Sequence, residues 1–154
     1  MPTHIRTMHE DDAEAVSKLI RRSFQQCIAD TYTERGIKHF MKITSKQAML
    51  RRKRKNQLIL VAESDAAIAG LVAVRNGNHL NLLFVAPEFH RRGIGTLLFQ
   101  DALARMKTAI PDLSVVTVNS SAYALPFYTK LGFRAKSSAY FRKGMKITPM
   151  ELLL

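Results

Sequence analysis

Leu-Asn-Leu-Leu-Phe-Val-Ala-Pro-Glu-Phe-His-Arg-Arg-Gly-Ile-Gly-Thr-Leu-Leu-Phe runs from Leu80 to Phe99, and three kinds of pattern follow one another along it. Leu80 to Val85 is an apolar run of strand length. Pro87 ends it, because proline has no N–H to give to a sheet ladder. His90, Arg91 and Arg92 come next, followed by Gly93-Ile94-Gly95. From Thr96 the pattern becomes helical, with Leu97, Leu98, Ala102 and Met106 recurring on one face. The order is strand, basic glycine-containing turn, helix.

Such a turn suits an anion. The first turn of a helix has N–H groups without intrahelical partners, and the helix dipole adds positive charge there. Glycines at 93 and 95 let a ligand come close to the backbone. Arg91 and Arg92 add full charges. A phosphate or pyrophosphate is the natural occupant. No Gly-Lys-Ser/Thr follows, so this is not a P-loop, and no third glycine completes a dinucleotide fingerprint. Taken alone, the stretch is equally compatible with an ordinary turn carrying a solvated arginine pair.

The remaining composition narrows the class. A chain of 154 residues that is 47% hydrophobic and 23% charged suits one globular domain, 1–154. No apolar run has membrane-span length, and Met-Pro-Thr-His-Ile-Arg lacks the apolar core of a secretory signal. A single cysteine, Cys27, fits a reducing compartment, so a cytoplasmic location is expected. Cys27 lies on an apolar helix face with Phe24 and Ile28 and reads as a small core residue. The net charge of +12 is shared evenly, since residues 1–77 hold 14 basic and 8 acidic side chains and residues 78–154 hold 10 and 4. Each half is therefore +6, which describes a basic domain surface rather than a basic tail. Polyanionic partners or an anionic cofactor are favoured.

Along the chain, Thr3–Met8 reads as a strand, and a helix opens near Asp11-x-x-Glu14, a capping-box pattern, and runs to about Ala29. Ile37, Phe40 and Met41 suggest a short helix, and Thr44-x-x-Gln47 opens another. That helix ends in Arg51-Arg52-Lys53-Arg54-Lys55, read as a solvated, dipole-favoured C-terminus, with a nucleic-acid patch and the attraction of a substrate as the other readings. Without interleaved aromatic residues the run gives no stacking surface for bases. Leu58–Glu63, Ile68–Arg75 and His79–Val85 form an antiparallel meander, with Asp65 and Asn76-Gly77 at its turns. A helix covers Gly95 to about Lys107. Leu113–Val118 then reads as a strand buried on both faces. A crossover helix between it and Leu80–Val85 implies parallel pairing. A helix from Ala122 to about Leu131 closes at Gly132, and Phe133–Ser138 and Met145–Leu153 are further strands. The result is an α/β chain with a mixed sheet and helices on both faces.

Val118 to Phe133 reads Val-Asn-Ser-Ser-Ala-Tyr-Ala-Leu-Pro-Phe-Tyr-Thr-Lys-Leu-Gly-Phe. With Val85-x-Pro87, Arg92-Gly93-Ile94-Gly95 and the terminal Ile147-x-Pro149-Met150-Glu151-Leu152, it closely resembles the GNAT family of acetyl-CoA-dependent N-acetyltransferases. The resemblance covers nearly the whole chain in the right element order. It implies a mostly antiparallel sheet of about seven strands, splayed at the fourth and fifth. It implies acetyl-CoA as co-substrate and no metal. His90, Arg91, Arg92, Gly93, Ile94, Gly95 and Thr96 would hold the pyrophosphate, with His90 a departure from the family's Gln or Arg. The backbone of Leu83, Phe84 and Val85 would hold the pantetheine arm, with an N–H polarising the thioester carbonyl. Asn119 matches the asparagine that contacts pantetheine. Tyr128 matches the general acid that protonates the departing thiolate. Tyr123 is structural or faces substrate.

The general base is left open. Asn81 stands where relatives place a carboxylate. His79 is the nearest titratable candidate, beside Glu63, Glu151 or a water chain. The expected acceptor is a primary amine on a small molecule, peptide or protein, approached between residues 12–55 and the last two strands, where Tyr32, Phe40, Tyr140 and Phe141 lie. Surplus positive charge there predicts that a polycationic acceptor is disfavoured. Two other readings are an acyl-CoA-binding homologue without activity and a basic nucleic-acid-binding module. No recognition-helix, RNA-binding or zinc motif supports the second. No membrane partner is expected, and Leu152-Leu153-Leu154 offers an edge for a homodimer.

Overall fold

The computed structural model describes residues 2–154. β1 (His4–Thr7) leads into α1 (Ala13–Cys27), α2 (Glu34–Ile43) and α3 (Lys46–Arg54). Then come β2 (Leu58–Ser64), β3 (Ala67–Arg75) and β4 (His79–Val85). α4 (Ile94–Ala109), β5 (Val115–Ser120) and α5 (Leu125–Lys130) follow. β6 (Arg134–Ala135), β7 (Tyr140–Arg142) and β8 (Met145–Leu153) complete the chain. The sheet has eight strands rather than about seven, in the order β1-β2-β3-β4-β5-β8-β6, with β7 paired to β8.

The meander forms as its turn residues dictate. Asp65 and Ala66 (φ 54° and 61°), then Asn76 and Gly77 (φ 56° and 78°), lie in the left-handed region that tight hairpins require. β2 and β3 are buried almost continuously, so both sheet faces are covered there. Val16, Ile20 and Phe24 of α1, and Leu98, Ala102 and Met106 of α4, supply apolar stripes to this core.

Several boundaries differ from the sequence expectation. α1 starts at Ala13 after a 3-10 turn, and the Asp12 carboxylate accepts the His9 N–H at 2.7 Å. Arg6 clasps that carboxylate at 2.7 Å and Glu63 at 2.5 Å, tying β1 to the start of α1. α3 is capped by Ser45, whose hydroxyl accepts the Ala48 N–H at 3.1 Å. Thr44 instead closes α2, donating its hydroxyl to Phe40 O at 2.7 Å. β5 begins at Val115, not Leu113, and is not buried on both faces: Val115, Thr117 and Asn119 are half-buried while Val116, Val118 and Ser120 are buried. Val118 and Asn119, at its end, line an open cleft. Only Arg134–Ala135 of the expected Phe133–Ser138 strand pairs with β8, while Tyr140–Arg142 forms a hairpin with β8 around Lys143-Gly144.

β4 and β5 are parallel but paired at two positions only, His79↔Thr117 and Leu80↔Val118. Beyond them the strands part. β4 stays paired to β3 as far as Gly70↔Val85, and β5 stays paired to β8 as far as Ser120↔Thr148. The β4 edge from Asn81 onward therefore has no strand beside it.

Candidate active site

A cleft of about 500 Å³ opens where the two strands part. Leu82 to Val85 of β4 line it, as do Val118 and Asn119 of β5. A second wall is the basic turn. Arg91 and Gly93 both take positive φ, 65° and 73°, and the first helical bond of α4 runs from Leu97 N–H to Gly93 O at 3.1 Å. The N–H groups of Ile94, Gly95 and Thr96 thus precede the helical ladder, and all three residues line the cleft. A Cβ on Gly95 would sit 3.2 Å from the Phe127 ring, so that approach is already filled.

The three basic residues of the turn are not equivalent. Arg91 and His90 line the cleft. Arg92 is drawn outward, stacked 5.0 Å over Phe89 and 3.6 Å from Asp65. A His90 ring nitrogen, Nε2, lies 2.9 Å from Val85 O. Since the carbonyl only accepts, that nitrogen carries the proton and His90 braces the end of β4 against the turn.

Tyr128 is buried, with its ring against Phe127 and Phe133 at centroid distances of 5.2 and 5.4 Å, and it lines the cleft. No hydrogen-bond partner for its hydroxyl occurs among the described residues. Burial raises its pKa above that of an ordinary phenol. Tyr123 lines the same cleft. Cys27 does too and is half-buried, a correction to its expected core position, because α1 ends at the cleft mouth.

Further along, Tyr32 and Phe40 join Phe84. Phe40 stacks on Phe24 at 4.1 Å and meets Phe84 edge-on at 5.9 Å. Tyr140 and Phe141, expected nearby, are exposed and do not line the cleft. Asn81 does line it, and its amide oxygen accepts from Arg52 Nη1, while Arg52 Nη2 donates to Ile43 O at 3.2 Å. Arg52 is therefore not part of a solvated face, a correction to the reading of the Arg51–Lys55 run. Nothing in that run marks one arginine as turned inward; helix phase against an unknown neighbour decides it.

His79 sits at the paired end of the splay, outside the cleft lining, with Nδ1 2.8 Å from Thr117 Oγ1. Burial, followed by the charges of Arg75 and Arg142, pushes its pKa down to about 4. The unfolded chain takes up this proton near pH 6.5 and the native state only near pH 4. Folding stability should therefore be full above about pH 6.5 and fall as the pH drops toward 4. Allowing for solvent at a partly exposed ring, the loss should be about 1–2 kcal/mol. Urea midpoints at pH 7.5 and 5 should separate in the wild type and draw together in His79→Gln; equal separation in both would assign the effect elsewhere. Glu63 is engaged by Arg6, and Glu151 lies opposite Thr117 on β8. No carboxylate lines the cleft among the described residues.

A parted parallel strand pair, a helix N-terminus beside it and a buried tyrosine thus share one cleft. The acetyltransferase (GNAT) domain model matches residues 28–154, and the chain belongs to that family. It is 34% identical over 80 residues to the peptidyl-lysine N-acetyltransferase YiaC of Escherichia coli, covering 52% of each chain. The match thus spans about half the length of that relative. Among solved structures, the GCN5-related N-acetyltransferase from Rhodopseudomonas palustris aligns with TM-score 0.83 and 25% identity over 100% of this chain and 97% of that one. The PaiA N-acetyltransferase from Thermoplasma acidophilum, in complex with coenzyme A, aligns with TM-score 0.82 and 23% identity over the whole of both chains.

Proposed function

We propose that residues 1–154 form one N-acetyltransferase domain that moves an acetyl group from acetyl-CoA to a primary amine by direct attack in a ternary complex. One observation carries this reading: the free N–H groups of the α4 turn, the unpaired edge of β4, Asn119 and Tyr128 share a single cleft. The pyrophosphate would lie on the N–H groups of Ile94, Gly95 and Thr96, with Arg91 as counter-charge. Arg92 and His90 would act indirectly, by holding the turn. The pantetheine arm would pair with Leu83–Val85 in place of the missing strand, with Asn119 opposite. An N–H of that edge would polarise the thioester carbonyl.

The amine nitrogen attacks the thioester carbon, the C–S bond breaks, and the Tyr128 phenol gives its proton to the thiolate. Among the described residues no carboxylate lines the cleft to take a proton from an ammonium, and His79 is a weak base outside it. The amine would therefore enter neutral, and the proton it sheds on forming the amide would pass through water to the Tyr128 phenolate, restoring the phenol. The aromatic wall of Tyr32, Phe40 and Phe84 would receive the apolar part of the acceptor. YiaC is a peptidyl-lysine N-acetyltransferase, which makes a protein lysine one acceptor class to include in an assay.

Calorimetric titration of acetyl-CoA tests the cofactor site. Wild type should bind saturably, and a Gly93→Asp/Gly95→Asp double variant should lose about a hundredfold or more in affinity, because a carboxylate then meets the phosphate and the position-95 Cβ meets Phe127. No wild-type binding at high micromolar acetyl-CoA would overturn the reading. Binding without turnover of any amine would point to the inactive homologue.

A further inference from the structure

Arg52 is the unexplained group beside the cleft: it lies behind the lining and reaches it through Asn81, a lining residue whose amide oxygen it holds. It is half-buried on the last turn of α3, and no carboxylate lies within ion-pair distance among the described residues. Its two hydrogen bonds go to neutral oxygens, the Asn81 amide and the Ile43 carbonyl. A guanidinium has five donors, so three N–H groups remain. Removing a cation from water is costly unless something negative meets it. Burial accordingly lowers the Arg52 pKa, and Arg75 lowers it further.

Its neighbours repeat the sign. Arg75 lies directly opposite His79 across the β3–β4 ladder, and Arg142 ends β7. Both raise the positive potential at His79, which is itself held neutral. Neither takes part in an ion pair among the described residues. The register brings one acid to this region, Glu151 opposite Thr117, against three arginines. Beyond them, Arg35, Lys42 and Lys143 surround His39 with the same charge.

Resting on the acetyl-transfer reading above, we infer that the acceptor carries a carboxylate near its amine and that Arg52 binds it, next to Asn81, with Arg75 and Arg142 drawing it in. Arg52 holds the amide oxygen of Asn81, which leaves the NH₂ of this cleft-lining residue as a second donor. The same cation repels an ammonium, so an acceptor whose amine enters neutral and whose carboxylate enters charged is selected twice. The carboxylate could belong to a free amino acid or to an acidic side chain beside a peptide amine.

Matched acceptors test this. Phenylalanine against phenylalaninamide covers the first source, and a lysine peptide flanked by glutamates against the same peptide with glutamines covers the second. With kcat/KM expressed per neutral amine, because the amide carries the less basic amine, coenzyme A release should be about tenfold or more faster for one acid over its amide. Arg52→Gln should bring the pair within about twofold, Arg52→Lys should restore part of the difference, and acetyl-CoA affinity should stay unchanged. Asn81→Asp, which neutralises Arg52 from inside, should abolish the preference in a folded protein. Amides used as well as acids by the wild type, or a preference that survives Arg52→Gln, would overturn the inference. If acetyl-CoA binds but no acceptor turns over, titration of N-acetylphenylalanine and its amide onto the coenzyme A complex decides: tighter binding of the acid supports the site, and equal or no binding overturns it. If acetyl-CoA itself does not bind, the same two ligands on the protein alone still decide the arginine site, separately from the acetyl-transfer reading.

Discussion

Tyr128→Phe should lower kcat about a hundredfold while leaving acetyl-CoA affinity within about twofold. The ring is buried among Phe127 and Phe133, so removing one oxygen leaves its packing intact. What is lost is the proton donor for a departing thiolate. Burial raises the phenol pKa, so the group keeps its proton across the neutral range and is always in donor form. A hundredfold loss corresponds to about 2.7 kcal/mol at the transition state. Steady-state kinetics with any accepted amine would check it, with a titration of acetyl-CoA as control. A kcat equal to wild type would remove the phenol from the chemical step. A rise in KM alone would assign it to binding.

The largest stability effect is expected at Gly36→Ala. By helix propensity this change within α2 should stabilise by about 1 kcal/mol. The structure reverses the sign. A Cβ at position 36 would fall on the carbonyl of Gly144 and lie 2.9 Å from Met145 N, all backbone of the β7–β8 turn. Thr33 fixes that turn by donating its N–H to Gly144 O at 2.9 Å and its hydroxyl to the same oxygen at 3.2 Å. Backbone cannot step aside as a side chain does, so overpacking of about 3 kcal/mol outweighs the propensity gain. Gly93→Ala is the comparison. There φ is 73° but nothing lies within 4 Å, so only the left-handed strain of about 1–2 kcal/mol remains. Urea midpoints should rank wild type, Gly93→Ala, Gly36→Ala in falling order. A Gly36→Ala protein as stable as wild type would mean that helix and turn do not meet.

The meander was legible because its signals are local, whereas the splay was expected from the resemblance. Asn76-Gly77 sets a hairpin by its own φ preferences, and Pro87 followed by a glycine turn marks a strand passing into a helix. Tyr128 was legible by resemblance, through the Leu-Gly-Phe segment after it, and Gly132 indeed takes φ 103° at the helix end. What escaped was set by distant partners. His90 lines the cleft as expected, but the hydrogen bond of its Nε2 to Val85 O depends on a loop conformation that its own residue type does not encode. Arg52 looked like its four basic neighbours until β4 supplied Asn81. Cys27 had an apolar face on one side, but the end of α1 coincides with the cleft, and no periodicity reports where a helix meets empty space. The Tyr140–Arg142 strand has no apolar alternation inward, since all three residues are exposed; its pairing comes from the turn at Lys143-Gly144.

The two-position pairing between β4 and β5 has a thermodynamic consequence. The sheet is one ribbon by topology but close to two by backbone pairing, with β1 to β4 on one side of the seam and β5, β8 and β6 on the other. Outside those rungs, backbone and amide bonds at Asn78 stitch the seam, one to Thr117 and one to Val115. Each half has its own ladders, and what joins them besides those rungs and bonds is the shared core, in which Val116, Val118, Phe133 and Met150 pack with the apolar residues of β2 to β4. A molecule lying along both parted edges would act as a weld, and part of its binding free energy would appear as added cooperativity of unfolding.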